Sequence, residues 1–309
     1  MPDYVFALSN FLIRLFILIT SIEKPFSDVV IIVSLALFSW LGDDSRMNPY
    51  LLSFICLGLI FASTVIGASF TFFFKKSLGS KISSIVLGFS GGVMVSSAVF
   101  GLLLPSMEQA SSSFGNYSLL VVCGSFLAGC LLLFGLDKLI PHMHPDGRKE
   151  GPETSGVKPS TKLFLAVTLH NIPEGIAVGL ACGIYFASPD QWPIALAAIT
   201  LALGISIQNI PEGAAVSLPL LDEGFSRGKA FAFGASSGLP EPLFGIVACA
   251  IGAAFSSALP FLLSFAAGAM IYATVDELIP GSISKHEHFG LWSFIIGFVV
   301  MMALEIALG

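Results

Sequence analysis

Charged side chains are scarce in this 309-residue sequence, in which aspartate, glutamate, lysine and arginine together make up 11%. A soluble domain usually contains about 25% of these residues, so this chain has too little charge to cover a surface that faces water. Hydrophobic residues make up 55% of the sequence, and its mean hydropathy is +0.90. We therefore expect bilayer lipid to be the main solvent of the protein.

Several sequence patterns are also absent. No C-x-x-C pair occurs, and the isolated cysteines lie in apolar stretches, which predicts buried free thiols and no disulfide framework. The absence of a P-loop, GxxxxGKS/T, argues against an ATP-driven pump, and the absence of H-E-x-x-H argues against a common zinc-protease motif. No basic patch is present, so a nucleic-acid partner has no support.

Eight stretches are apolar and long enough, at about 20 residues, to cross a bilayer as helices. They cover residues 50–74, 82–105, 117–140, 162–187, 193–218, 229–256, 259–281 and 289–308. A shorter run at 27–42 predicts an extra N-terminal transmembrane helix, and residues 1–25 have the pattern of an interfacial amphipathic segment. The sequence thus predicts an all-α polytopic membrane helix bundle, with an N-terminal region at 1–49 and an eight-helix domain at 50–309.

Lysine and arginine predict the orientation of these spans. Beyond residue 50 they lie only in the loops after spans one, three, five and seven, or at helix ends beside those loops. The residues are Lys75, Lys76, Lys81, Lys138, Arg148, Lys149, Lys158, Lys162, Arg227, Lys229 and Lys285. Because positive residues collect on the cytoplasmic side, we expect a multi-pass cell-membrane protein with both core termini outside and the polar 141–161 loop in the cytoplasm.

Two of the spans carry the same short motif. Residues 170–175 read HNIPEG and residues 208–213 read QNIPEG, and the predicted topology makes these two helices antiparallel. Matched motifs on antiparallel neighbours indicate a pseudo-two-fold axis in the membrane plane, with a site near the midplane. Positions i and i+4 share a helix face, so His170 points the same way as Glu174, and Gln208 the same way as Glu212.

Ionisable side chains are costly at bilayer depth, so each one inside a span indicates function. A third carboxylate, Glu241, lies between two prolines in span six. Such a glutamate alone, or His170 alone, is often a packing residue that links helices by hydrogen bonds. Taken together, imidazole nitrogen with carboxylate and amide oxygens suits a borderline divalent metal, and a cation offsets the charge of the carboxylates.

Some other polar residues have two readings, as ordinary surface or loop residues or as parts of an ion path. They are Glu108, Asp137, His142, His144, Asp276 and Glu277. Met94 in span two is either a packing residue or, through its thioether, a ligand for a soft metal. The sequence offers no partner for Glu305 in span eight.

The paired motifs, together with Glu241, resemble the ZIP (Zrt/Irt-like protein) family of metal transporters, and within it the GufA-like bacterial branch. The resemblance covers residues 50–309 and includes GFSGGVMVSSAVF in span two, PHMH after span three and DELIP in span seven. It implies an eight-helix core, often with one extra N-terminal helix, and metal influx into the cytosol without ATP. The expected cargo is Zn²⁺, with Cd²⁺, Fe²⁺ or Mn²⁺ as alternatives, and a homodimer is left open.

The resemblance further implies a binuclear site at the midplane and alternating access, in which helices four and five move against a static scaffold. The first metal position takes His170, Glu174, Gln208 and Glu212, with Met94 nearby. The second takes Asn171, Asn209 and Glu241, and shares Glu174 and Glu212. Glu108 matches an acidic position near the outer mouth, and positions linked to metal release inside are matched by Asp137, His142, His144, Asp276 and Glu277.

One residue departs from the pattern of some relatives, which have aspartate where this chain has Asn209. The glutamates at 174, 212 and 241 supply a charge of −3 if all ionise, whereas two divalent ions bring +4. The second ion would leave net positive charge in a place of low dielectric constant, where charge is costly. We therefore expect the second position to bind weakly or to serve as a way-station.

Two rival function classes remain. An intramembrane metalloenzyme would show metal-dependent turnover without movement of metal across the membrane. A transporter of an organic solute, in which the acidic cluster binds Na⁺ or H⁺, would be revealed by a substrate screen.

Overall fold

The structure is a computed structural model and describes residues 47–74, 79–139, 142–143, 149–150, 159–283 and 287–308. The chain divides into two units, Met1–Met47 and Asn48–Gly309. The predicted extra helix at 27–42 and the predicted amphipathic segment at 1–25 lie outside the described residues.

Within the described ranges the second unit is almost entirely helical. Its helices are α1 (Pro49–Ala68), α2 (Ser80–Ser96), α3 (Leu104–Phe114), α4 (Ser118–Leu139), α5 (Pro159–Ala187), α6 (Trp192–Asp222), α7 (Arg227–Ser237), α8 (Pro240–Ala254), α9 (Leu259–Ala273), α10 (Ile279–Ile283) and α11 (Glu287–Leu308). One π-helical turn, Ser97–Leu103, joins α2 to α3, and another, Thr274–Leu278, joins α9 to α10. Two short strands, β1 (His142–Met143) and β2 (Lys149–Glu150), pair antiparallel between α4 and α5.

Proline and glycine set several of the helix ends. A proline lies in the first turn of α1, α6, α8 and α9, where its missing N–H costs no intrahelical bond. At the start of α1, the Asn48 side chain accepts a hydrogen bond of 2.9 Å from the Tyr50 N–H, which satisfies one free donor of the helix. α3 ends at Gly115, whose φ of 51° is open to glycine without a steric penalty.

Seven helical segments in the described part of the chain are long and apolar enough to cross a membrane. One of them, Ser80–Leu139, has 60 residues. A straight helix of that length would measure about 90 Å, whereas the hydrocarbon core of a bilayer is about 30 Å thick. This segment must therefore change direction.

Contacts with α9 show where the change of direction occurs. The contacting pairs are Met94–Thr274, in the turn directly after α9, and Ser106–Ser264 before Gly115, and Gly129–Phe265 and Cys130–Gly268 after it. In the first two pairs the residue number rises from 94 to 106 while that of the partner falls from 274 to 264, so α2 and α3 run antiparallel to α9. In the last two pairs both numbers rise, so α4 runs parallel to α9. The reversal supports the predicted count of eight crossings, which stays a prediction.

Close glycine contacts join the long helices in four parallel pairs, which are α1 with α6, α2 with α11, α4 with α9 and α5 with α8. In each pair a methyl group added to a glycine would collide with a carbonyl of the other helix. The collisions are Gly67 with Ile210, Gly88 with Gly290, Gly129 with Phe265 and Gly179 with Gly245. Such backbone approach is the usual role of small residues between membrane helices. Each pair joins two odd-numbered or two even-numbered predicted spans, as an alternating topology requires.

The predicted spans differ from the helices in several places, and beyond the predicted end of span two at 105 the helix continues as α3 to Phe114. The polar loop predicted at 141–161 ends before residue 161, because α5 already begins at Pro159. The sixth predicted span is divided into α7 and α8, since Gly238 and Leu239 separate them. All cysteines are free, as predicted, but only Cys56, Cys182 and Cys249 are buried.

Candidate metal site

α5 and α6 lie antiparallel and bring the two motifs face to face. Gln208 Nε2 donates a hydrogen bond of 2.6 Å to Glu174 Oε1. One turn away on each helix, His170 and Glu212 border the same cavity. The pairs 174 with 208 and 170 with 212 therefore lie at matching heights along the two antiparallel helices.

Breaks in neighbouring helices supply the site with carbonyl acceptors. α7 ends at Ser237, and Pro240 at the start of α8 has no N–H to offer. The Ser237 carbonyl accepts a hydrogen bond of 2.8 Å from Asn171 Nδ2. α9 gives way to a π-helical turn after Ala273, whose carbonyl lies 3.3 Å from His170 Nε2.

Of the four residues predicted for the first metal position, His170 and Glu212 adjoin a cavity of about 190 Å³, whereas Glu174 and Gln208 do not line it. Met94, His170 and Glu212 line it, together with Glu277 from the second π-helical turn. Glu277 Oε1 lies 3.6 Å from His170 Nδ1. The cavity wall thus offers thioether, imidazole and carboxylate groups, which together suit a borderline or soft divalent ion.

Two of the residues predicted for the second position, Asn209 and Glu241, are joined by a hydrogen bond. Asn209 Nδ2 donates to Glu241 Oε1 at 3.0 Å and lies 3.3 Å from the Ile60 carbonyl. Thr64 Oγ1, from α1, donates to the same Glu241 oxygen at 3.0 Å. Glu241 and Asn209 have no measurable exposure to solvent, and Asn171 is 1% exposed.

Six acceptor oxygens of the predicted ligands are buried and accept no hydrogen bond from any described residue. They are Asn171 Oδ1, Glu174 Oε2, Gln208 Oε1, Asn209 Oδ1, Glu212 Oε1 and Glu241 Oε2. A buried acceptor without a partner costs free energy. A cation would satisfy these oxygens, whereas an apolar molecule would not.

The amide groups are held in one orientation. The NH₂ groups of Asn171, Gln208 and Asn209 each donate to a carbonyl or carboxylate oxygen. An amide NH₂ has no lone pair to offer a metal, and an amide oxygen has two. The NH₂ group of each amide therefore faces its hydrogen-bond acceptor. The amide oxygen, which can bind a cation, points away from that acceptor.

The predicted ligands are neighbours, but they do not form a finished metal site. Among the described residues, no three His, Cys, Asp or Glu side chains lie close enough together to hold a metal ion. Two of the carboxylates are engaged by amides, Glu174 by Gln208 and Glu241 by Asn209. Binding of an ion between them requires local rearrangement of these side chains.

The remaining pathway candidates are spread over both ends of the helices. Glu277 is 3% exposed and Asp137 is 6% exposed, so neither is a solvated helix end. Glu108 is exposed on α3, away from the paired motifs, and Asp276 lies beside Glu277 in the π-helical turn. His142 lies in β1, and His144 lies outside the described residues.

The structure shows the neighbours of two residues, Glu305 and Thr64, that the sequence alone did not place. Glu305 is 7% exposed, and a methyl group added to Gly101 would lie 3.0 Å from its Oε1, so Glu305 faces the first π-helical turn. Thr64 is the hydroxyl donor to Glu241. No motif marks Thr64, because a single threonine in an apolar span is common and its partner lies 177 residues away in sequence.

The sequence model of the ZIP zinc transporter family matches residues 160–305. Zinc transporter ZIP11 of Homo sapiens is 32% identical over 348 residues, covering 87% of this chain and 99% of that protein. Zinc transporter ZIPB of Bordetella bronchiseptica is 34% identical over 81% of this chain and 79% of its own length. Zinc transporter GufA of Myxococcus xanthus is 34% identical over 74% and 90%, respectively. With its paired motifs on antiparallel membrane helices, the chain belongs to the ZIP zinc transporter family.

Proposed function

We propose that this chain transports divalent transition-metal ions across the membrane, with Zn²⁺ as the main cargo. The relatives from human, Bordetella and Myxococcus are all named zinc transporters. The six unpartnered acceptor oxygens carry the proposal, because buried oxygens on α5, α6 and α8 call for a cation. An organic solute that lacks a positive charge would leave them unsatisfied.

The proposed first metal position uses one nitrogen and several oxygen donors. His170, Glu174, Gln208 and Glu212 supply them, and this mixture suits zinc. The proposed second position uses Asn171, Asn209 and Glu241. It is expected to bind more weakly, because it has one carboxylate of its own.

The proposed direction is uptake into the cytosol by alternating access. The cavity beside His170 reaches Ser83 near the start of α2 and Pro219 near the end of α6. Both of these helix ends face the side that the distribution of lysine and arginine assigns to the cytoplasm. The cavity supports an inward-facing state, which would alternate with an outward-facing one as α5 and α6 shift. Both core termini are then outside, and the loop between α4 and α5 is cytoplasmic.

Zinc influx into liposomes tests the proposal. The purified protein is reconstituted with a fluorescent zinc indicator inside the vesicles, and Zn²⁺ is added outside. Wild type is compared with Glu212→Gln, which keeps the shape of the side chain but removes its charge. Asp222→Asn is the matched control, since it removes the same charge from an exposed position on the same helix.

We expect influx with wild type and Asp222→Asn, and a fall of at least about tenfold in Glu212→Gln. Equal influx in all three proteins would contradict the proposed path. A folded wild type that binds Zn²⁺ but moves none would overturn transport, and metal-dependent turnover in that protein would favour a metalloenzyme.

A further inference from the structure

A threonine on α1 contacts the carboxylate of the proposed second metal position. Thr64 Oγ1 lies 3.0 Å from Glu241 Oε1. Thr64 is 1% exposed, and Glu241 has no measurable exposure. A hydrogen bond to a buried carboxylate is stronger than one between neutral groups.

The hydroxyl has a choice of acceptors. The carbonyl of Ile60, one turn back on α1, lies 3.5 Å from Thr64 Oγ1. Threonine inside a helix commonly bonds to this carbonyl. A hydroxyl donates only one hydrogen, and the shorter bond, to Glu241 at 3.0 Å, takes it.

The packing of α1 keeps Thr64 in this place. A methyl group added to Gly213 of α6 would lie 2.2 Å from the Thr64 carbonyl, so the two backbones are in contact. A methyl group added to Gly238, between α7 and α8, would lie 2.9 Å from Thr64 Cβ and 3.0 Å from Cγ2. Gly213 therefore confines the backbone of Thr64 and Gly238 confines its side chain, whose hydroxyl bonds to Glu241 near the start of α8.

The two oxygens of Glu241 are consequently unequal. Oε1 accepts from both Thr64 and Asn209, whereas Oε2 accepts from no described residue. Rotation of the carboxylate would break two hydrogen bonds at once. The two hydrogen bonds to Oε1 therefore fix the carboxylate so that Oε2 is the oxygen available to bind a cation.

We propose that Thr64 is a positioning residue for the second metal position, where its hydroxyl fixes Glu241 so that Oε2 is presented to the ion. The inference rests on the proposed function, because it assumes that Glu241 binds a transported metal. Thr64 itself touches no ion. It acts only through Glu241, as hydrogen-bonded partners of metal ligands commonly do.

Equilibrium binding of Cd²⁺, a spectroscopically convenient divalent ion, tests the inference. The variant Thr64→Val keeps the branched shape and removes the hydroxyl, and Thr64→Ser restores a hydroxyl. Thr71→Val is the control, because Thr71 is equally buried but its hydroxyl bonds to the Ala68 carbonyl, three residues back, and to no other described residue. All variants are made in wild type and in Asn209→Asp, where added negative charge strengthens a weak second ion.

We expect Thr64→Val to weaken the second Cd²⁺ by about tenfold or more and to change the first by less than about twofold. Thr64→Ser should restore the second affinity, and Thr71→Val should leave it unchanged. A purely structural role would lower the unfolding temperature and leave the affinity ratio of the two ions as it is.

Two results would overturn the inference. One is a second-ion affinity within twofold of the parent in Thr64→Val, and the other is no second ion in the Asn209→Asp protein. Either can occur while wild-type liposomes still take up zinc, which leaves the proposed function standing. Absence of zinc uptake by wild type would instead remove the proposed function itself.

Discussion

Asn209 Nδ2 lies 3.0 Å from Glu241 Oε1 and donates a hydrogen bond to it. Aspartate at this position would place two carboxylates at that distance, where they repel unless a cation or a proton lies between them. The Asn209 amide instead donates to Glu241, so these two side chains lie in contact without a bound ion. This contact gives a structural reason for the weak second position that the charge count predicts.

The substitution Asn209→Asp should therefore increase occupancy of the second position. The added carboxylate supplies the missing negative charge and removes the donor that satisfies Glu241. We expect about two Cd²⁺ ions per chain where wild type binds about one at the same concentration. Equilibrium dialysis with elemental analysis measures the ratio.

Asn116→Asp is the control for this change, because it adds the same charge in an exposed turn after α3. Its metal content should match wild type. If Asn209→Asp also matched wild type, the charge argument for the second position would fail.

Glu277→Gln should slow zinc uptake more than it weakens zinc binding. Glu277 lies 3.6 Å from His170 and lines the cavity that leads from the motifs. We therefore expect it to be the next carboxylate for an ion that leaves the proposed first position. We expect a several-fold lower uptake rate in liposomes, and a change of less than about threefold in equilibrium affinity.

Asp190→Asn provides the comparison for Glu277→Gln, since Asp190 is exposed between α5 and α6. It should affect neither quantity. A parallel loss of affinity and rate in Glu277→Gln would place Glu277 among the ligands of the first position and not on the path away from it.

Gly179→Ala should destabilise the protein through the α5–α8 contact. The added methyl group would lie 2.2 Å from the Gly245 carbonyl, so the two backbones must move apart. Overpacking of this kind costs about 1–3 kcal/mol. The measurement is the unfolding temperature in detergent, followed by loss of the monodisperse chromatographic peak on heating.

Gly58→Ala is the matched glycine substitution, because nothing lies within 4 Å of a methyl group added there. Alanine favours a helix over glycine by up to about 1 kcal/mol, so this variant should equal or exceed wild type. Equal unfolding temperatures for both variants would show that α5 and α8 are not held by backbone contact.

Much of this architecture is local in the sequence. Long apolar stretches indicate where membrane helices lie, and the spacing of the repeated motif indicates which residues share a face on α5 and on α6. The contact between Gln208 and Glu174 is added by the structure. Lysine and arginine occur in every second loop, and this distribution predicts the orientation of the helices in the membrane. These signals depend on neighbours within a few turns, and one sequence is enough to read them.

Other parts of the site depend on contacts between distant segments. Thr64 meets Glu241 because glycines let α1 approach α6 and the α7–α8 break, and no local pattern encodes that meeting. The π-helical turn that places Glu277 beside His170 likewise has no signature in its residues. Helix breaks and long-range packing are therefore where the structure adds most.

Met94 has two predicted roles, packing and metal binding, and a test of its sulfur atom distinguishes them. Met94 is 1% exposed, borders the cavity, and its Sδ lies 3.7 Å from Thr274 Oγ1. Met94→Leu conserves volume, which usually costs less than about 1.5 kcal/mol, so the fold should persist. If the thioether binds the ion, uptake of Cd²⁺ relative to Mn²⁺ should fall several-fold, because thioethers favour soft ions.

Competition between Cd²⁺ and Mn²⁺ in the liposome assay measures that ratio. Met107→Leu, an exposed position on α3, should leave it unchanged. An unchanged ratio in Met94→Leu as well would assign Met94 to packing alone. Selectivity would then have to arise from His170 and the carboxylate and amide oxygens, because no other soft donor lines the described cavity.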